Sequence, residues 1–109
     1  MNLVDAQKFI EKKDFGKALD IFLEIEKKDP NNEKVFFYLG LIYFELNNYK
    51  KCIFYYDKFL KKVPNSNSAL YNLAIAKQFV GKTEEAKEIY NKLIKKNKNN
   101  VRAYYGLYV

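Results

Sequence analysis

Residues 36–64 read FFYLGLIYFELNNYKKCIFYYDKFLKKVP, from Phe36 to Pro64. Phe36, Leu39, Gly40 and Tyr43 recur at helical spacing, so a helix here turns all four to one side. Asn47 and Asn48 follow as a polar turn. A second helical stretch then carries Cys52 and, one turn later, Tyr56. Pro64 lacks a backbone N–H and marks where that helix has stopped. Two antiparallel helices joined by a short turn account for the whole stretch.

Working outward, the sequence matches itself at a shift of 34 residues. Asn31, Asn65 and Asn99 fall in step, as do Asn32, Ser66 and Asn100. The lysine pairs Lys27–Lys28, Lys61–Lys62 and Lys95–Lys96 repeat, and so do the small residues Ala18, Cys52 and Ala86. Phe22, Tyr56 and Tyr90 are the large aromatics in phase. Pro30 and Pro64 agree, with Lys98 in the third place. Each match has a cause. Asn32, Ser66 and Asn100 can accept hydrogen bonds from the free N–H groups of a starting helix. Lysines in a last turn oppose the negative end of the helix dipole. A small residue lets a neighbouring helix approach, and an aromatic one turn on fills the space beside it. The spacing predicts helices at about 2–12, 15–28 (opened by Asp14), 33–46, 49–62 and 67–80. A sixth starts at Thr83 or Glu84–Glu85 and ends near Lys96, and the tail begins a seventh.

The aromatic-x-x-Leu-Gly-x-x-Tyr stripe, the small residue, the second aromatic and the proline together resemble the tetratricopeptide repeat, a helix hairpin of about 34 residues. The resemblance covers the entire chain as a single unit of residues 1–109. It gives three repeats, at about 1–32, 33–66 and 67–100, and the opening of a fourth at 101–109. It implies an all-α, right-handed α-solenoid of three antiparallel helix hairpins plus the first helix of a fourth. It also implies a non-catalytic protein–protein interaction module, or scaffold, whose concave groove takes a peptide segment of a partner. Two departures stand out. The signature tryptophan is replaced by Phe36 and Leu70. Lys77 stands where Phe9 and Tyr43 fill the core, so it is expected to turn outward or loosen the third repeat.

Composition agrees. Of 109 residues, 49% are hydrophobic, too many for a disordered chain. Two prolines and four glycines suit long helices with short turns. No apolar run approaches the roughly 20 residues of a membrane span. The start, MNLVDAQKFIEKKD, is polar and mixed in charge, unlike a secretory signal. A cytoplasmic protein is expected, because the lone Cys52 has no disulfide partner within the chain.

The sequence offers little for catalysis. There is no histidine, and one cysteine cannot build a thiolate metal cluster. Glu24 with Glu26, and Glu84 with Glu85, do not share a helix face, so paired acid–base chemistry is not expected. Ser66 and Ser68 have no base, and the four glycines are isolated. No enzyme, catalytic residue, metal or cofactor is expected. The formal charge of +7 is carried by lysines, with Arg102 the only arginine. The repeated lysine pairs could form a ladder, but arginine is the usual choice for phosphate contacts, so nucleic acid is not the expected partner.

Helical spacing defines a second face on each first helix. In the third helix it holds Lys34, Phe37, Leu41, Phe44 and Glu45, with Tyr38 at its border. The fifth places Ser68, Tyr71, Ile75, Gln78 and Phe79 there, with Asn72 at the border; the first places Leu3 and Gln7; the seventh places Arg102, Tyr105 and Val109. The resemblance implies that this face lines the groove. The expected contact residues are Lys34, Phe37, Tyr38, Leu41, Phe44, Tyr71, Asn72, Ile75, Arg102 and Tyr105. Alternatively, Phe37 and Leu41 pack against second helices. Some members of the family clamp C-terminal carboxylates with Lys, Asn and Arg. The matching places here are Leu3, Gln7, Tyr38, Ser68 and Asn72, so that clamp is not expected.

The seventh helix has no partner helix in this chain, and solenoids usually end in a polar cap. Two further readings follow. One is that the repeats are the N-terminal docking or assembly module of a longer enzyme, such as a transferase, truncated at Val109. The other is a self-associating scaffold, a homo-oligomer joined through Tyr104, Leu107 and Tyr108.

Overall fold

The computed structural model describes residues 2–107. Tyr108 and Val109 lie outside them. The described residues form seven helices and no strand: α1 (Leu3–Glu11), α2 (Phe15–Lys28), α3 (Glu33–Glu45), α4 (Tyr49–Lys62), α5 (Asn67–Phe79), α6 (Thr83–Lys96) and α7 (Val101–Leu107). Each helix packs on the next in the chain, and α3 also meets α5, so the hairpins line up in a stack of 41 × 24 × 22 Å.

The helix ends repeat as the sequence does. Asn32, Ser66 and Asn100 accept from the backbone N–H of Lys34, Ala69 and Ala103, which satisfies a free donor at the start of α3, α5 and α7. Asp14 and Asn48 do the same for α2 and α4. Inside each hairpin the turn is also built alike. The N–H of Asp14, Asn48 and Lys82 donates at 2.8 Å to the carbonyl of Phe9, Tyr43 and Lys77. The N–H of Lys13, Asn47 and Gly81 donates to Ile10, Phe44 and Gln78. This is the Schellman closure, which requires one left-handed residue. That residue is Lys13 (φ 61°), Asn47 (φ 62°) and Gly81 (φ 85°) in turn. The three stand 34 apart, a period hidden from inspection because their side chains share no chemistry.

The core is a line of apolar places filled once per hairpin. Ala6, Gly40 and Ala74 are buried on the first helices; Ala18, Cys52 and Ala86 on the second. Phe22, Tyr56 and Tyr90 are buried between successive hairpins. An added Cβ on Gly40 would lie 2.8 Å from the Tyr56 ring, so the ring rests on bare backbone. The ring of Phe22 meets Tyr38 of the next hairpin, centre to centre 5.2 Å. Burying one such side chain contributes about 1.5–3 kcal/mol. Burial pushes the Cys52 thiol up to about 12. It also raises the Tyr55, Tyr56 and Tyr90 hydroxyls, with Glu26 adding to the effect on Tyr55.

Lys77 does not turn outward. Its side chain is only 13% exposed, and its ammonium reaches Glu85 of α6 at 3.0 Å. The stem fills the core place while the charge leaves at its edge. Glu85 is held below the usual carboxylate range by that hydrogen bond and charge.

Two stability predictions follow from these turns and rings. Lys13 is a branched-chain-free residue held left-handed where glycine fits without a Cβ clash, so Lys13→Gly should stabilise the fold by about 1 kcal/mol in urea unfolding. Lys13→Asn should give part of that gain. The raised thiol and hydroxyls favour the folded state only while they stay protonated. Their contribution is therefore complete below about pH 9, the ordinary thiol value, and is lost as pH climbs towards 12. The urea midpoint should stay level to about pH 8.5 and fall beyond, and Cys52→Ala should delay the onset towards the tyrosine range.

Candidate functional site

A cleft of about 520 Å³ opens between α5, the start of α6 and α7. Its walls are Tyr71, Ile75, Gln78, Phe79, Thr83, Tyr90, Arg102, Tyr105 and Gly106. No carboxylate is among them, and Arg102 is the one formal charge. One place beside the cleft shrinks along the stack. Tyr38 fills it against Phe22 in the first junction. Asn72 takes it in the second, where its Nδ2 donates to the Tyr56 hydroxyl at 3.0 Å. Gly106 takes it in the third, with the Tyr90 ring flat against its backbone. Each step removes side-chain volume, and at the last one the Tyr90 ring occupies the place a Gly106 side chain would take.

A short polar chain fixes the floor. The Tyr90 hydroxyl donates to Gln78 Oε1 at 3.0 Å, and Gln78 Nε2 donates to the Gly106 carbonyl at 3.0 Å. Both ends of the Gln78 amide are used, which ties α5, α6 and α7 together. Arg102 lies over the Tyr71 ring, 4.5 Å from its centre, and this cation–π contact holds the guanidinium at the rim. Phe79 is 66% exposed yet ordered, because it stacks on Tyr49 at 4.5 Å and 3°. Tyr105 opposes solvent at 73% exposure.

Four expected contact residues meet in this cleft: Tyr71, Ile75, Arg102 and Tyr105. The others lie elsewhere. Phe37 is half-buried, its ring 5.1 Å from Phe59 and 6.1 Å from Tyr56, so it packs against the second helix of its own hairpin. Tyr38 sits on Phe22, Phe44 on Tyr49, and Asn72 on Tyr56. Leu41 is half-buried and Lys34 exposed. Tyr104 is 40% exposed and Leu107 half-buried on α7. Gln78 and Phe79, on the α5 face that helical spacing assigns to the groove, also line the cleft. Tyr90 counts as core by its period. Gly106 was detectable only by aligning 38, 72 and 106 and noticing the loss of volume.

The lysine pairs have a partner within the chain. Lys62 Nζ donates to the Asn31 carbonyl at 2.7 Å, and Lys96 Nζ to the Asn65 carbonyl at 3.2 Å. The second lysine of the last two pairs therefore reaches back to the connection between its own hairpin and the one before. Among the described residues no group of three or more His, Cys, Asp or Glu converges, and no helix is long and apolar enough to cross a membrane.

Comparison with known proteins agrees with this geometry. Two family profiles described as "Tetratricopeptide repeat" match residues 33–66 and 68–100. No curated protein matches this sequence. Among solved structures, MamA superposes with a TM-score of 0.84 at 27% identity, over 98% of this chain and 61% of MamA. A tetratricopeptide repeat protein from Parabacteroides merdae superposes at 0.75 and 26% identity, over 94% of this chain and 40% of its own. The chain thus spans less than two thirds of either. The first such domain of Spaghetti (RPAP3), solved with an HSP90 peptide, superposes at 0.82 with 20% identity, over 94% of this chain and 82% of that one.

The polar floor generates a test. Gln78→Leu strands the Tyr90 hydroxyl and the Gly106 carbonyl, which should lower the unfolding free energy by about 1–3 kcal/mol. Hydrogen exchange should quicken most in α7.

Proposed function

This chain belongs to the tetratricopeptide-repeat family, and on that premise we propose that it holds a segment of a partner protein in the cleft between α5 and α7. The observation that carries the reading is the cleft's lining. Four aromatic side chains and Ile75 surround a preformed space with one cation at its rim. Such a site suits a bulky apolar side chain, anchored by burial and oriented by a few polar groups. The mechanism is passive: the stack is built before the segment arrives, so little ordering is needed on this side. Lys34, Phe37, Tyr38, Leu41, Phe44 and Asn72 continue the same face along α3 and α5 and are proposed to guide the rest of the segment. The peptide-bound neighbour supports an interaction role, while its 20% identity carries the fold alone. The chemistry-poor sequence supports a module without catalysis of its own.

A second reading rests on α7. Val101 is 78% exposed, Tyr105 73% and Tyr104 40%, an apolar surface that a second copy could cover. Sedimentation tells the two apart: self-association predicts a mass of two chains that Tyr104→Glu abolishes.

For the cleft, the test is peptide display on the purified chain, with selected peptides measured by calorimetry. Selected sequences should share an aromatic or large aliphatic residue. Ile75→Glu, which sets a carboxylate among apolar walls, should weaken them roughly tenfold or more, about 1.4 kcal/mol. Tyr105→Ala should weaken them by a smaller factor. Selected peptides that bind both variants as tightly as the parent chain would end this reading.

A further inference from the structure

The outward arc of α4 differs from those of α2 and α6, its neighbours in the stack. It carries Lys50, Lys51, Phe54, Asp57, Lys58 and Lys61. Phe54 stands in the middle and is 52% exposed. Lysines lie three and four residues before it and four after, the spacing of one helix face. The same place on α2 and α6 holds Asp20 and Glu88, so the stack does not require an apolar residue there. Lys50 and Lys51 occupy the first turn of α4, which has no acidic residue. Positive charge at that end opposes the helix dipole, so the capping rationale that explains Lys61 does not reach them. The equivalent first turn of α6 holds Glu84 and Glu85. Lys27 and Lys87 pair with Glu24 and Glu84, whereas no ion pair among the described residues uses an α4 lysine. Lys58 keeps its ammonium 4.5 Å from the centre of the Phe54 ring, so charge and aromatic surface are presented together.

We propose that this arc is a second interaction surface, separate from the cleft, and that it takes an acidic segment of a partner protein with an apolar side chain set among its carboxylates. Charge complementarity selects the carboxylates, and Phe54 selects the apolar side chain. The strip is one helix wide. At the equivalent places on the second helices, α2 carries Asp20 and Glu24, and α6 carries Glu84, Glu85 and Glu88. Carboxylates at those places disfavour a broad anionic sheet such as a bilayer relative to a single extended chain on α4. The cations of the strip are all lysines, with Asp57 the one carboxylate among them; lysine lacks the planar fork that grips phosphate bidentately, which ranks nucleic acid behind a polypeptide.

The test is fluorescence anisotropy with a labelled peptide of about ten residues, all glutamate except one central phenylalanine, at about 50 and 300 mM salt. Binding is expected at the lower salt and should weaken steeply at the higher. Phe54→Ala should weaken it about fivefold, and Lys50→Glu with Lys51→Glu about tenfold or more. Lys87→Glu with Lys92→Glu on α6 makes the same change in net charge and should alter binding less than about twofold. Ile75→Glu should leave it unchanged, which separates this surface from the cleft. All these positions are at the surface or at a rim, and circular dichroism checks that each variant keeps its helices. Equal losses for the α4 and α6 variants, or no loss with Phe54→Ala, would overturn the proposal. So would failure of the peptide to bind while single-stranded DNA or phosphatidylserine vesicles do.

Discussion

One contact recurs at every junction and the rest of the stack depends on it: a large ring from a second helix buried against the first helix of the next hairpin. Tyr56 shows it most fully. Its ring lies on Gly40, its hydroxyl takes a hydrogen bond from Asn72, and the side chain is fully buried. A ring so placed spends its apolar surface in two directions at once. No single hairpin could bury it, because half of the contact belongs to the neighbour. That is why the repeats stabilise one another and why a lone hairpin of this kind is marginal. The hydroxyl adds direction: in a tightly packed interior it must find a partner, and Asn72 and Gln78 supply one at successive junctions.

The same contact also borders the candidate site. A solenoid whose junctions were identical would offer a uniform groove. Here the residue facing the ring declines from tyrosine to asparagine to glycine, and the cleft lies beside the last of these junctions. The candidate site thus lies at a departure from an otherwise regular series. The outward arc of α4 follows the same logic on the other side, where Phe54 breaks a series of acidic residues.

Much of the fold was legible in the sequence. The caps Asn32, Ser66 and Asn100, the buried aromatics and the helix bounds depend on local chemistry that repeats with the chain, so inspection finds them. The left-handed turn residues escaped because backbone conformation leaves no shared side chain: a lysine, an asparagine and a glycine adopt it alike. Lys77 does not turn outward because a long stem can lie in the core while its charge escapes at the edge, which residue type alone does not reveal. For the site, helical spacing located the face but not its depth. Whether Phe37 is packed and Tyr71 lines a cavity depends on volumes contributed by other helices, and these are three-dimensional facts that a one-helix pattern does not hold.

The two long edges of the stack are fastened by different means. On one, the ammonium groups of Lys62 and Lys96 cross to the carbonyls of Asn31 and Asn65 through water-exposed hydrogen bonds. On the other, Tyr49 and Phe79 lie ring on ring. Exposed bonds of the first kind exchange readily with solvent, while stacked rings hold about 0.5–1.5 kcal/mol beyond their buried area. The array is thus a book whose spine runs along the rings and whose fore-edge is loosely clasped. Bending should therefore strain the lysine margin before the Tyr49–Phe79 stack.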